Sequence, residues 1–151
     1  MVPVADCANL KDERGNYNVN AFLQSGYQDL RNIILWSKCV PGFNDLVYDD
    51  KLRLLRACWM DLVVLRLSYR SLRYPKGITV FGENLCLAHS EVMKMGWSQN
   101  MVDDHEDFTE KLRLVKLDSS EFACVCALVL LTSGKLKLML NIYTLVVIDK
   151  T

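Results

Sequence analysis

The segment spanning residues 51–69 constrains the fold of this chain more than any other feature. Its apolar side chains fall on nearly every face of a helix, and they are Leu52, Leu54, Leu55, Ala57, Cys58, Trp59, Leu62, Val63, Val64, Leu65 and Leu67. A helix that is apolar all round is typically buried on most of its sides. We therefore predict a central helix that lies between other helices and places Leu62 in the core.

The flanking segments also favour helices, and one short segment favours strands. Apolar residues recur at helical spacing across residues 22–40, and Pro41 and Gly42 end that pattern because proline cannot continue a helix. Apolar residues on both sides of a Gly-Glu-Asn turn predict a hairpin at residues 78–87. We expect an all-α fold with one small β-hairpin.

The second half of the chain predicts three further helices. A short one is expected at residues 89–95, and a long amphipathic one carries apolar residues at steps of three and four up to Val115. Asp118 and Glu121 then have the spacing of a capping box, in which each side chain satisfies a free amide at the start of a helix. The apolar helix that follows ends near Ser133 and Gly134.

Composition excludes several classes of protein. The 18 basic and 18 acidic residues cancel, so no net positive field would hold the chain on nucleic acid. The six cysteines include no Cys-x-x-Cys pair and lie mostly in apolar runs, which favours free thiols in a reducing compartment, the cytosol or nucleus. The most apolar stretch, residues 122–131, has about half the length of a membrane span. We expect neither direct nucleic-acid binding nor membrane insertion.

The connector between the first two helices carries a specific motif. It comprises Trp36-Ser37-Lys38, Val40-Pro41-Gly42-Phe43, Asp45-Leu46, Asp49-Asp50-Lys51 and Leu54-Leu55. This resembles the signature of nuclear receptor ligand-binding domains, with Ser37 where the family usually has Ala and Lys51 where it usually has Gln. The resemblance covers about residues 22–134 and implies a partial form of that family's helical sandwich.

The resemblance divides the chain into three parts. We predict a polar lead-in at residues 1–20, a partial ligand-binding domain at 21–134 and an unmatched apolar tail at 135–151. The family's dimerisation helix and terminal activation helix have no counterpart after Ser133, so a truncated domain is expected. Arg70-Ser71 leans towards the oestrogen and oestrogen-related group, whereas Thr79-Val80-Phe81 leans towards retinoid-type receptors, and both subgroups stay open.

The resemblance also implies a ligand site built from Asp29, Arg70 and Phe81. A guanidinium suits the polar end of a small lipophilic ligand because it is always charged and offers a planar fork of donors. The expected ligand bears a hydroxyl or a carboxylate. A purely structural Asp29–Arg70 ion pair without ligand is an equally open interpretation.

A coactivator groove is the second site that the resemblance implies. Lys38 would cap the C-terminal carbonyls of a Leu-x-x-Leu-Leu helix, and the groove floor would comprise Ile34, Phe43, Leu52 and Leu55. The acidic residue that grips the other end of the peptide has no counterpart here, so we expect weak binding. In the alternative interpretation, Lys38 only stabilises the dipole of its own helix.

No catalytic constellation accompanies these sites. His89 and His105 have no partners at metal-ligand spacing, and the sequence contains neither a nucleophile elbow nor a glycine-rich phosphate loop. We predict no enzyme activity, no metal and no cofactor. The predicted function is that of a ligand-binding and coregulator-binding module in transcription regulation, located in the nucleus or cytoplasm and not switchable by ligand as it stands. The alternative is a ligand-free helical fragment that competes for coregulators.

Overall fold

A computed structural model describes residues 11–82 and 85–132 of the chain. The elements in this part are α1 (Val19–Ser37), α2 (Tyr48–Ser71), β1 (Ile78–Gly82), β2 (Leu85–Ala88), α3 (His89–Lys94), α4 (Gln99–Val115) and α5 (Ser119–Leu131). The predicted helical fold with one small antiparallel hairpin is confirmed. The predicted apolar tail, residues 135–151, lies outside the described residues.

The described part of the chain divides into two compact units. The first unit contains residues 11–29 and 66–114, and the second contains residues 30–65 and 115–132. Helices α1 and α2 each contribute residues to both units. None of the helices in the described part is long and apolar enough to cross a membrane.

The ends of the helices follow from local chemistry. Helix α1 stops at Ser37, and the connector after it contains Gly42 at a φ of +81°, a conformation that glycine adopts without a steric penalty. Asp49 and Asp50 lie in the first turn of α2, where carboxylates complement the helix dipole. At α5 the Asp118 side chain accepts hydrogen bonds from two backbone amides, and Glu121 accepts one from the Asp118 amide at 2.9 Å. The predicted capping box is confirmed.

In the second unit, α2 buries a narrower face than its apolar composition predicts. Cys58, Leu62 and Leu65 are almost fully buried, at the i, i+4 and i+7 spacing of a single helix face. On other faces Trp59 and Met60 are 40% and 53% exposed. Burial therefore follows the neighbours that pack on each face, and an apolar residue on a face without such a neighbour stays in contact with solvent.

The first unit is organised around the hairpin. Strands β1 and β2 pair antiparallel, with Ile78 opposite Ala88 and Val80 opposite Cys86. One core cluster comprises Leu87, Val92 and Val102, with Phe22, Phe81, Met95 and Trp97 packed against it. This cluster joins α1, the hairpin, α3 and α4 within one hydrophobic core.

Residues 11–17, which lie within the predicted polar lead-in, form a turn closed by a β-bridge between Lys11 and Tyr17. Glu91 on α3 accepts hydrogen bonds from Lys94 at 2.7 Å, from the Tyr17 hydroxyl and from Lys11 at 3.0 Å. These donors favour the ionised carboxylate and lower the pKa of Glu91 to about 2. The turn is thereby attached to α3 in the first unit.

Candidate functional site

The residue pair predicted from the family resemblance forms a close ion pair in the first unit. Asp29 lies on α1 and Arg70 in the last turn of α2. The Arg70 Nη1 and Nη2 atoms donate to Oδ1 and Oδ2 of Asp29, both at 2.7 Å. Because Asp29 is only 6% exposed, this bidentate contact compensates a carboxylate that has lost most of its hydration.

The same guanidinium also binds the backbone of strand β1. Arg70 Nε donates to the Val80 carbonyl at 3.4 Å, and Nη2 donates to the Phe81 carbonyl at 3.1 Å. The Ser25 hydroxyl on α1 donates to that Phe81 carbonyl at 2.7 Å. Arg70 and Ser25 thus connect α1, α2 and β1 through a small set of hydrogen bonds at the edge of the hairpin.

The ring of Phe81 extends from this polar contact into the core of the unit. It packs edge to face on Phe22 and on Trp97, with ring centroids 5.7 Å apart in both pairs. The structure therefore brings the three predicted residues of the ligand site together, with Asp29 and Arg70 bonded to each other and Arg70 bonded to the Phe81 backbone. Their role towards a ligand stays a prediction.

The predicted groove residues lie in the second unit, at the end of α1, in the connector and at the start of α2. Lys38 is exposed, directly after α1, and its carbonyl accepts a hydrogen bond from Asn44 Nδ2 at 2.7 Å. Ile34 is 40% exposed, and Leu52 and Leu55 are half-buried. Phe43 is 2% exposed, so it belongs to the core beneath such a surface. Their role towards a peptide also stays a prediction.

An open cleft of about 490 Å³ lies elsewhere in the first unit. One wall is a face of α4, and the other comprises α3 and the turn before the hairpin; the lining residues are Lys76, Gly77, His89, Met93, Gln99, Val102, Asp103, Glu106, Asp107 and Glu110. None of the predicted ligand-site residues lines this cleft. Its four carboxylates share one face of α4 and are Asp103, Glu106, Asp107 and Glu110. Their helical spacing is visible in the sequence, although no motif there points to a site.

Two histidines lie beside this cleft in different environments. His89 Nε2 is 3.2 Å from Glu106 Oε2, which also accepts a hydrogen bond from the Gly77 amide at 3.3 Å. His105 is 6% exposed, and neither of its ring nitrogens has a hydrogen-bond partner among the described residues. Burial and the nearby His89 together lower the pKa of His105 to about 4. No group of three or more potential metal ligands occurs in the described ranges.

Sequence reasoning missed two residues that support the Asp29–Arg70 pair. Arg66 lies one helical turn before Arg70, and its Nε is 3.6 Å from Asp29 Oδ1. The spacing of four residues on α2 was the available signal, because residues at i and i+4 share a helix face. Ser25 carried no comparable signal, since its partner lies 56 residues further along the chain.

Comparison with known proteins provides the family. Residues 11–147 match the model of the ligand-binding domain of nuclear hormone receptor, a longer stretch than the motifs alone indicate. The chain is 35% identical over 107 residues to an estrogen receptor of Ictalurus punctatus, covering 71% of this chain and 17% of that receptor. An estrogen receptor beta of Sturnus vulgaris is also 35% identical over 107 residues, with 71% and 19% covered.

A longer alignment leads to the same family. The estrogen receptor of Danio rerio is 30% identical over 135 residues, which is 87% of this chain and 24% of the receptor. The chain thus spans between 17% and 24% of the length of these three relatives. The family model matches most of the chain, so the family assignment does not depend on any single relative. This chain belongs to the family of nuclear hormone receptor ligand-binding domains.

Proposed function

We propose that this chain is the ligand-binding and coregulator-binding module of a nuclear hormone receptor and acts in transcription regulation in the nucleus. As a member of the family, the chain is a receptor module and not an enzyme. The observation that carries the proposal is the bidentate pair of Asp29 and Arg70 beside the hairpin, because it fixes a guanidinium next to an apolar core. The estrogen receptors among its relatives suggest an oestrogen as the first ligand to test.

The donors of Arg70 determine what a ligand could bind. Four of the five N–H donors of a guanidinium have acceptors in Asp29, Val80 and Phe81, and the fifth has none among the described residues. The Arg70 side chain is 26% exposed. A hydroxyl or carboxylate on a lipophilic molecule can therefore accept one hydrogen bond from Arg70 without breaking the pair with Asp29.

Binding of a tritiated oestrogen and of a fluorescent fatty acid to the full chain tests this site. The informative variant is Arg70→Lys, which keeps the charge and removes the planar fork. The matched control is Arg73→Lys, since Arg73 is exposed in the turn after α2. We expect about a tenfold loss of affinity in the first variant, as for one hydrogen bond to a charged group, and none in the control. Equal affinity in Arg70→Lys and the unchanged chain would contradict the proposed ligand contact.

A ligand-free module that competes for coregulators is the second candidate. It is favoured by the way Asp29 and Arg70 satisfy each other, because a pair that needs no ligand also stabilises an empty domain. In this candidate Lys38 caps one end of a coregulator helix, and the apolar surface beside it comprises Ile34, Leu52 and Leu55. The expected absence of the dimerisation and activation helices concerns residues 135–151, which lie outside the described residues.

Titration with a labelled Leu-x-x-Leu-Leu peptide separates the two candidates. We expect weak binding that does not change with the oestrogen and that decreases in Lys38→Ala. Lys76→Ala is the control, because Lys76 is an exposed lysine of the first unit. Tight binding that increases with ligand would instead support a ligand-switched receptor module and overturn the prediction of a non-switchable chain.

A further inference from the structure

The buried imidazole of His105 has no role in the function proposed above. It lies on the buried face of α4, and its ring contacts Trp97 and His89 at centroid distances of 6.2 Å and 6.4 Å. The titratable groups beside it in the described part are His89 from α3 and Glu106 from α4 itself. Glu106 Oε2 lies beside His89 and accepts from the Gly77 amide, Oε1 has no described partner, and neither oxygen is hydrogen-bonded to His105.

Protonation of His105 therefore conflicts with the closed packing of the first unit. A charged imidazolium has two N–H donors, and both would be buried without an acceptor. In an open state the ring reaches water, and its pKa returns towards the ordinary value of 6.5 from about 4 in the closed state. Because the open state binds the proton more tightly, lowering the pH favours opening.

We propose that protonation of His105 loosens the packing of α4 against the hairpin and α3. The packing that loosens is the cluster in which Val102 of α4 contacts Leu87 of β2 and Val92 of α3. Above pH 6.5 the ring is neutral in both states and opening is independent of pH. From about 6.5 down to about 4 the open state gains one proton, so its population rises about tenfold per pH unit and on the order of 10²-fold in all.

The Glu91 carboxylate responds in a lower range of pH than the window proposed for His105. Glu91 carries a pKa of about 2, so its hydrogen bonds to Lys11, Tyr17 and Lys94 stay intact through this window. The coulombic effect of the neighbouring His89 adds to burial in lowering the pKa of His105. Separate variants of His105 and His89 therefore distinguish the contribution of each histidine to the pH response.

Acrylamide quenching of Trp97 fluorescence between pH 7.5 and 4 tests the proposal in the full chain. Trp36→Phe and Trp59→Phe make Trp97 the only tryptophan, which reports on packing beside His105. We expect quenching to rise as the pH falls below about 6.5, and to stay flat in His105→Phe, which keeps an aromatic ring and cannot bind a proton. His89→Gln should keep the response with a smaller total increase, because the charge of His89 no longer opposes protonation.

The proposal is overturned if His105→Phe shows the same acid response as the reference chain, or if the reference chain shows none. Should His105→Phe fail to fold, titration of the His105 ring by NMR in the reference chain decides instead. A ring that titrates near 6.5 while Trp97 stays protected overturns the proposal, since protonation then occurs in the closed state. A ring that becomes protonated only together with Trp97 exposure supports it.

Discussion

At the scale of single residues, Asp29 is a carboxylate in a buried position on α1. A carboxylate that is 6% exposed needs charged or polar partners, since an unpaired buried charge would oppose folding strongly. Arg70 provides two short hydrogen bonds, and Arg66 adds a second positive charge 3.6 Å away. Removing both sides of this arrangement should therefore cost less than the sum of the two single removals.

A double-mutant cycle measures this coupling. Arg70→Ala leaves Asp29 with Arg66 as its remaining cation, and we expect a loss of about 2 kcal/mol in the free energy of unfolding. This is less than for a fully buried pair, because a quarter of the Arg70 side chain is exposed. Asp29→Ala combined with Arg70→Ala should lose clearly less than the sum of the two single losses. Urea denaturation provides the values, and strict additivity would mean that the pair contributes no coupling.

The residue scale also shows where sequence reasoning stops. Asp29 and Arg70 lie 41 positions apart, and only the family resemblance brought them together in advance. Their contacts with the Val80 and Phe81 carbonyls depend on the position of a strand, which side-chain chemistry does not specify. For His105, helical periodicity predicts burial on α4 but cannot predict whether the ring nitrogens find hydrogen-bond partners.

At the scale of elements, local sequence predicts the helix ends well and their buried faces less well. The ends depend on residues adjacent in the chain, such as Asp118 with Glu121 at α5, and there the sequence contains the whole interaction. The exposed faces of α2 depend on distant segments, so its apolar residues predicted more burial than the structure contains. Helix ends are determined by residues adjacent in the sequence, whereas buried faces are determined by segments far away in the sequence.

Loss of the capping box should weaken α5 measurably. In Asp118→Ala the amides of Ser120 and Glu121 lose the acceptor that now lies 2.8 Å away. We expect the free energy of unfolding to fall by about 1 kcal/mol, the usual value for a lost N-cap. Ser119→Ala is a suitable control because its exposed side chain takes no part in the box. A matching loss in the control would show that the effect has another origin.

Helix α2 allows a comparison between two substitutions to aspartate, one at a buried position and one at an exposed position. Leu62 is 1% exposed and Met60 is 53% exposed on the same helix. Leu62→Asp places an unpaired charge in the core, and we expect several kcal/mol of destabilisation, enough to unfold the chain. Met60→Asp should change stability by less than about 0.5 kcal/mol. Thermal denaturation followed by circular dichroism checks both, and an unchanged melting temperature in Leu62→Asp would refute its core position.

At the scale of the whole molecule, a neutral net charge coexists with many exposed apolar side chains. The 18 basic and 18 acidic residues place the isoelectric point near 6.7. Large apolar residues exposed on α1 include Val19, Leu23 and Tyr27. A protein without net charge loses the repulsion that keeps copies apart, so apolar contacts between copies are then least opposed.

We therefore expect self-association to be strongest near pH 6.7 and to decrease by pH 8.5, where the chain carries net negative charge. Light scattering at matched concentration measures this difference. Leu23→Gln together with Tyr27→Gln should lower the scattering at pH 6.7 without changing the melting temperature, because both side chains are exposed. If the double variant associates as strongly as the reference chain, the α1 residues are not the cause.

The attachment of residues 11–17 to α3 has a consequence for the order of events during synthesis. Lys11 and Tyr17 find Glu91 only 80 and 74 residues further along the chain. Translation at about 5–20 residues per second delays that encounter by roughly 4–16 seconds, whereas helices form within about a microsecond. During this interval α1 is already made while the partners of its Phe22 and Asp29 are still being synthesised. Residues 11–17 therefore have no partner on α3 until Glu91 has been translated.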